Sequence, residues 1–375
     1  MPFGTLIIYR TLAVTKKKRK MKFIIRNITL LILFSIVNSC NGQVEKKEKL
    51  SLKVEKASEV NKISVPKNGF SNAYLDKDGS LWFSSNGGGV YHYNGKTFKH
   101  YIEKNGLSSN RVYSIVPDLK NNLWFGTQNG LTKYDRKQFK HIPLPYRDTL
   151  SGWAAKMNPV LSPNAVHSLA TDKKDNLWIG TAGGGAYFYD GTNFKSYLTE
   201  IGRKQEDSLY HNWIPFIRKD SKGNMWFASM THGGVSRYDG ETFTHYMPED
   251  GLSDDMVRTI YEDRFGKIWI GFNGNRASGL TVYDGNSFKT YSIDEGLCNQ
   301  RVRAIYEDKN GNLWLGSHLG NLCIFDGRNF SEFSSNGQPY SSILFILGDL
   351  EDNVWFGGSD GIWKFDGESV MKMTK

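Results

Sequence analysis

Seven tryptophans, Trp82, Trp124, Trp178, Trp226, Trp269, Trp314 and Trp355, recur 42, 54, 48, 43, 45 and 41 residues apart. Six residues before each stands an aspartate: Asp76, Asp118, Asp172, Asp220, Asp263, Asp308 and Asp349. The residue just before each tryptophan is apolar, from Leu81 to Val354, and the residue two after it is small, from Ser84 to Gly357. Self-similarity at such a period marks a stack of units, none of which buries its apolar surface alone.

Each unit reads as four short strands. In the second unit they are Arg111 to Val116, Leu123 to Thr127, Gly130 to Tyr134 and Gln138 to Ile142. Asp78-Gly79 and Asn310-Gly311 supply one hairpin turn, and Tyr238-Asp239-Gly240 and its equivalents supply another, because Gly, Asn and Asp tolerate positive φ. Unit two departs from that second pattern, with Asp135-Arg136. Along the second strand the tryptophan and the small residue share one face, and the flanking apolar residues share the other. Both faces are therefore dry, so other sheets must cover both. Seven units of roughly 40–50 residues fit the range of four to eight blades. The predicted fold is all-β, a seven-bladed β-propeller of four-stranded antiparallel blades over residues 67–375, with blades from about Asn68 to Met373. The first unit begins with its inner strand and the last ends with its outer one. Closure then rests on face packing unless Ile63 to Val65 adds to an edge. The periodic aspartates serve the fold, accepting turn amide protons.

The 48 Lys and Arg against 38 Asp and Glu raise the question of nucleic acid, but eight of the bases and none of the acids fall within residues 1–39. The remaining 40 bases against 38 acids leave no nucleic-acid face. From Met21, the alternative start, two bases precede an uncharged apolar run from Ile28 to Val37, too short to span a bilayer. Residues 1–39 are read as a signal peptide. Ser39-Cys40 resembles the lipobox of bacterial lipoproteins, which implies acylation of Cys40, a flexible tether over residues 40–66, and a place in the bacterial cell envelope through a lipid anchor, or secretion. Cys298 and Cys323 could pair in an oxidising compartment, but two cysteines are too few for a disulfide framework and buried free thiols are the expectation.

The runs DLKNNLWFGTQNGLTKYD, DKKDNLWIGTAGGGAYFYD and DKNGNLWLGSHLGNLCIFD resemble the two-component regulator propeller repeat. The resemblance implies an extracytoplasmic binding domain of the kind that senses oligosaccharides in hybrid histidine kinases. No apolar span or room for a kinase follows Val370, so a stand-alone propeller is expected.

Propellers bind where the inner strands begin and the connecting loops converge. Eight residues before each aspartate stand Asn68, Asn110, Asn164, Asn212, Asp255, Gln300 and Ser341, and five before stand Ser71, Tyr113, His167, Pro215, Arg258, Arg303 and Leu344. Arg111, Trp213 and Arg301 occupy the seventh place. The candidate ligand ring is Arg111, Tyr113, His167, Asn212, Trp213, Asp255, Arg258, Gln300, Arg301 and Arg303. Guanidinium groups suit carboxylate or sulfate, and aromatic rings suit a sugar face. A hydrated channel mouth is the plain alternative. Residues outside the repeat register, Tyr146, Arg147 and Trp153 in one insertion and Tyr210, His211 and Trp213 in another, add aromatics that offer a second binding candidate or small loop cores. Expected partners are an oligosaccharide or a protein. No cofactor motif appears: the glycine runs at Gly87 to Gly89 and Gly183 to Gly185 lack the helix and Lys-Ser/Thr of a phosphate loop. Eight histidines form no H-x-x-x-H pair. The expectation is a non-enzyme. Streptogramin lyases have distantly similar repeats, and that weaker likeness implies a His base with Mg²⁺ at His232 or His318; a carbohydrate-active or lyase enzyme and a pure protein scaffold are the rival readings.

Overall fold

The computed structural model describes residues 63–375 except 65, 68, 146–164, 202, 205–209, 274–278 and 336. Seven antiparallel blades of four strands follow one another in chain order; Arg203–Lys204 and Tyr210–Trp213 extend the third sheet to six strands, and Ser334–Ser335 with Gln338–Pro339 form a separate two-stranded sheet. The first blade is Phe70–Leu75, Leu81–Ser85, Val90–Tyr93 and Phe98–Tyr101, and the last is Ile343–Gly348, Val354–Gly358, Gly361–Phe365 and Val370–Lys372. Every second strand is buried along its whole length, as its two dry faces require. Seven apolar clusters fill the spaces between neighbouring blades; one packs Trp226 and Val235 of the fourth blade on Ile268, Ile270 and Phe272 of the fifth. The small residue two after each tryptophan lets the next inner strand approach. A Cβ on Gly126 would lie 2.3 Å from Ser114 Oγ and 2.7 Å from Val166 of the third blade.

The periodic aspartates do more than hold turns. One carboxylate oxygen accepts turn amides, as Asp220 Oδ1 does from Asn224 at 2.7 Å, and the other accepts the indole N–H of the tryptophan six residues on, at 2.8 Å from Trp226. The same indole bond forms at Asp76, Asp118, Asp263, Asp308 and Asp349, at 2.8–3.0 Å. The repeat thus ties its turn to its core through one side chain.

Closure follows the edge route. Ile63 forms a parallel bridge with Thr374, and the Lys375 amide donates to the Ile63 carbonyl at 3.0 Å, outside the last strand of the seventh blade. Phe70 and Phe83 of the first blade pack on Phe345, Trp355 and Ile362 of the seventh. Val65 lies outside the described residues, as do Cys40 and the whole of residues 1–62.

One expectation is corrected. Cys298 and Cys323 are joined by a disulfide, with Cα atoms 5.9 Å apart, and are not free thiols. The connection out of the fifth blade crosses a short 3-10 turn, Ile293–Glu295, and buries Leu297 in the cluster that also holds Cys323. That packing brings the two sulfurs together although 25 residues separate them.

Candidate functional site

The innermost strands do not run straight. Register shifts fall at Ser71, Tyr113, His167, Arg258, Arg303 and Leu344, each skipped in the pairing with the second strand. These are the residues five before the aspartate. A bulge re-aims its side chain. In the fourth blade that place is Pro215, which has no amide to give a ladder. All seven line one cavity of 300 Å³ on the channel axis.

The cavity has a cationic side and an aromatic side. Arg258, Arg303 and Arg218 reach it, and no acidic side chain lines it. Burial, with the neighbouring Arg303 charge, lowers Arg258 to about 9. Burial and Arg301 lower Arg303 to about 10. Arg303 donates to the Asn273 side-chain oxygen at 2.6 Å, while Arg218 lies 4.4 Å over the Tyr261 ring. Tyr113 stacks on His167 with ring centres 4.2 Å apart, and Trp213 meets His167 edge-on at 5.0 Å. Burial, helped by the Arg258 charge, pushes His167 down to about 3, so its ring is neutral at physiological pH. Several polar groups here have no partner within the protein: His167 Nε2, Ser114 Oγ, and the Nε atoms of Arg218 and Arg303. Trp213 Nε1 and His318 Nδ1 share that condition, and His318 feels the charges of Arg303, Arg258 and Arg301.

Of the ten ring candidates, Tyr113, His167, Arg258 and Arg303 meet in the cavity, and Trp213 extends its aromatic wall. Arg111 lies beside the Tyr113 hydroxyl, and Arg301 beside Arg303. Asn212 is engaged elsewhere: it is buried, donates to the Leu198 carbonyl at 3.0 Å and accepts from Ser229 at 2.6 Å. Asp255 accepts from His232 at 2.9 Å, and Gln300 is half-buried outside the cavity lining. Tyr146, Arg147 and Trp153, with the side chains of Tyr210 and His211, lie outside the described residues. Arg218 was missed by the row-by-row reading. Its signal is in the sequence, for the row two before the aspartate otherwise holds Tyr74, Val116, Ala170, Tyr261, Tyr306 and Leu347. Among the described residues no group of three or more His, Cys, Asp or Glu is placed to hold a metal ion.

The two-component regulator propeller family matches residues 106–129, 160–183, 251–274 and 296–318. Each match runs through the inner strand and into or through the second strand of one blade. Four of the seven blades thus match the two-component regulator propeller repeat. Histidine kinase P4 of Formosa agariphila is 25% identical over 301 residues, which is 76% of this chain and 21% of that relative. The chain therefore spans about a fifth of the curated relative it matches. The extracellular domain of a hybrid two-component system from B. thetaiotaomicron superposes with a TM-score of 0.59 at 21% identity, covering 82% of this chain and 40% of that one. A virginiamycin B lyase from Staphylococcus aureus, solved with quinupristin, gives a TM-score of 0.61 at 14% identity over 84% and 98% of the two chains. These structural likenesses establish the propeller that the repeats build.

Proposed function

We propose that this propeller is an extracytoplasmic binding domain of the sensor kind, and that it takes an acidic oligosaccharide, carboxylated or sulfated, at the mouth of its channel. The observation that carries this reading is the convergence of Arg258, Arg303 and Arg218 on one cavity with no lining carboxylate and with unpartnered Nε atoms on two of them. Guanidinium groups crowded in a part-buried channel with no carboxylate in its lining favour an anion that brings its own charge. Planar guanidinium groups grip carboxylate and sulfate at two points. The Tyr113–His167–Trp213 wall opposite them offers ring faces for a sugar. The likeness to a histidine kinase and to the extracellular part of a hybrid two-component system supports the sensor setting. In this proposal acylated Cys40 tethers the domain to the envelope.

The test is a thermal-shift and calorimetric titration with uronic and sulfated oligosaccharides, since binding to the native state raises the melting temperature. Acidic ligands stabilise the protein, with affinity falling as salt rises, and Arg258→Gln with Arg303→Gln removes the effect. Equal protection of the double variant, or no acidic ligand binding at all, overturns the reading and turns attention to a protein partner.

A further inference from the structure

The third blade breaks the rule that the other six obey. Trp178 is 1% exposed, yet its indole N–H has no partner within the protein. Asp172 spends its carboxylate on the Lys174 and Asn176 amides and on the Asn176 side chain, at 2.8–3.0 Å. The cause lies one strand outward. The residue paired with the tryptophan is His92, Lys133, Arg237 or Lys364 in four blades, Val282 or Ile324 in two, and Phe188 here. Phe188 meets Trp178 edge-on at 5.2 Å. The indole is turned with it: its plane makes 46° with Tyr197, where the equivalent pairs Trp82–Tyr101, Trp226–Tyr246 and Trp269–Tyr291 lie within 13–19° of parallel.

Beside the turned ring is a cavity of 310 Å³ between the third and fourth blades. It opens on the face of the aspartate turns, the far end of the inner strands from the channel mouth. Phe188, Tyr197 and Tyr238 supply aromatic walls around the buried Trp178, and the charged lining carries both signs, Asp172 and Asp239 with Lys173, Lys174 and Lys222. We infer that this cavity is a second ligand site, one that takes a single neutral sugar ring. Its volume stands at the lower end of the roughly 300–1,000 Å³ of ligand pockets. Aromatic faces accept the C–H side of a sugar, and carboxylates and ammonium groups in near balance accept from and donate to its hydroxyls without calling for a charge on the ring. The site is independent of the arginine-lined channel, so either can fail without the other.

The experiment is saturation-transfer NMR and titration with the methyl glycosides of glucose, galactose, mannose and xylose, using the full chain. At least one glycoside binds, and Tyr238→Ala, which removes a wall, weakens it about tenfold. Phe188→Lys, which installs the residue of the second blade, also abolishes binding, while the melting temperature shows that both variants fold. Arg258→Gln with Arg303→Gln leaves glycoside binding unchanged. Failure of all four glycosides to bind, binding indifferent to both cavity variants, or binding lost in the arginine double variant overturns the inference.

Discussion

Arg136 of the second blade donates to the carboxylate of Asp76, the repeat aspartate of the first, with Nη2 3.2 Å from Oδ1 and Nη1 closing the fork. Its other contacts are the Asn121 backbone and side-chain oxygens. The residue stands where five other blades have Tyr-Asp-Gly or Phe-Asp-Gly and one has Tyr-Asn-Gly, and it keeps the positive φ of that glycine, 73°. The departure of unit two from its pattern is therefore a staple between blades. Arg136→Gly is expected to lose a charge-assisted fork on a carboxylate that is 3% exposed, partly offset by relief of the left-handed backbone, for a net cost of about 1–2 kcal/mol in urea unfolding.

An ordinary tryptophan environment and the odd one make a paired comparison. Trp226→Phe deprives Asp220 of a donor, whereas Trp178→Phe removes an indole N–H that had no acceptor. Both changes leave a similar void. The first is expected to cost about 2 kcal/mol more than the second in matched denaturant titrations. Equal costs would show that the Asp–Trp bond contributes nothing net.

The Cys298–Cys323 bond closes a loop of 25 residues that carries Gln300, Arg301 and Arg303. Replacing both cysteines by serine should lower stability by about 2–4 kcal/mol under oxidising conditions, and reductant should bring the parent protein to the same value.

Acid should weaken the fold through the channel. His167 is held near 3 in the folded protein, against about 6.5 in an unfolded chain. Between those values the unfolded chain binds a proton that the native one does not, so stability is complete above pH 6.5 and falls as pH drops. His318 is shifted in the same direction by burial and then by Arg303, Arg258 and Arg301. From pH 6.5 to 5 His167 alone accounts for up to about 2 kcal/mol, and His167→Gln should flatten that part of the stability curve.

The blades were legible because their signal is redundant: Asp220, Met225, Trp226 and Ala228 repeat one pattern that seven units share. The role of the aspartates was half legible. Asp-Gly neighbours announce a turn, but the indole bond from Trp226 to Asp220 is a contact across a hairpin that spacing alone does not reveal. The channel row was found by counting, yet counting treated Asn212 and Arg258 alike. The bulge decides between them, sending Arg258 inward and leaving Asn212 to secure a loop, and a bulge has no residue signature here beyond its result. The disulfide was missed because Cys298 reaches Cys323 through the packing of Leu297, a tertiary event.

The seam between the first and last blades has a consequence in time. Phe70 and Phe83 are among the first core residues a ribosome delivers, and their covers Phe345 and Trp355 are among the last. At roughly 5–20 residues per second, some tens of seconds pass with that apolar flank unroofed. A nascent propeller of this kind is an open crescent with a sticky leading edge that stays bare until the final blade arrives.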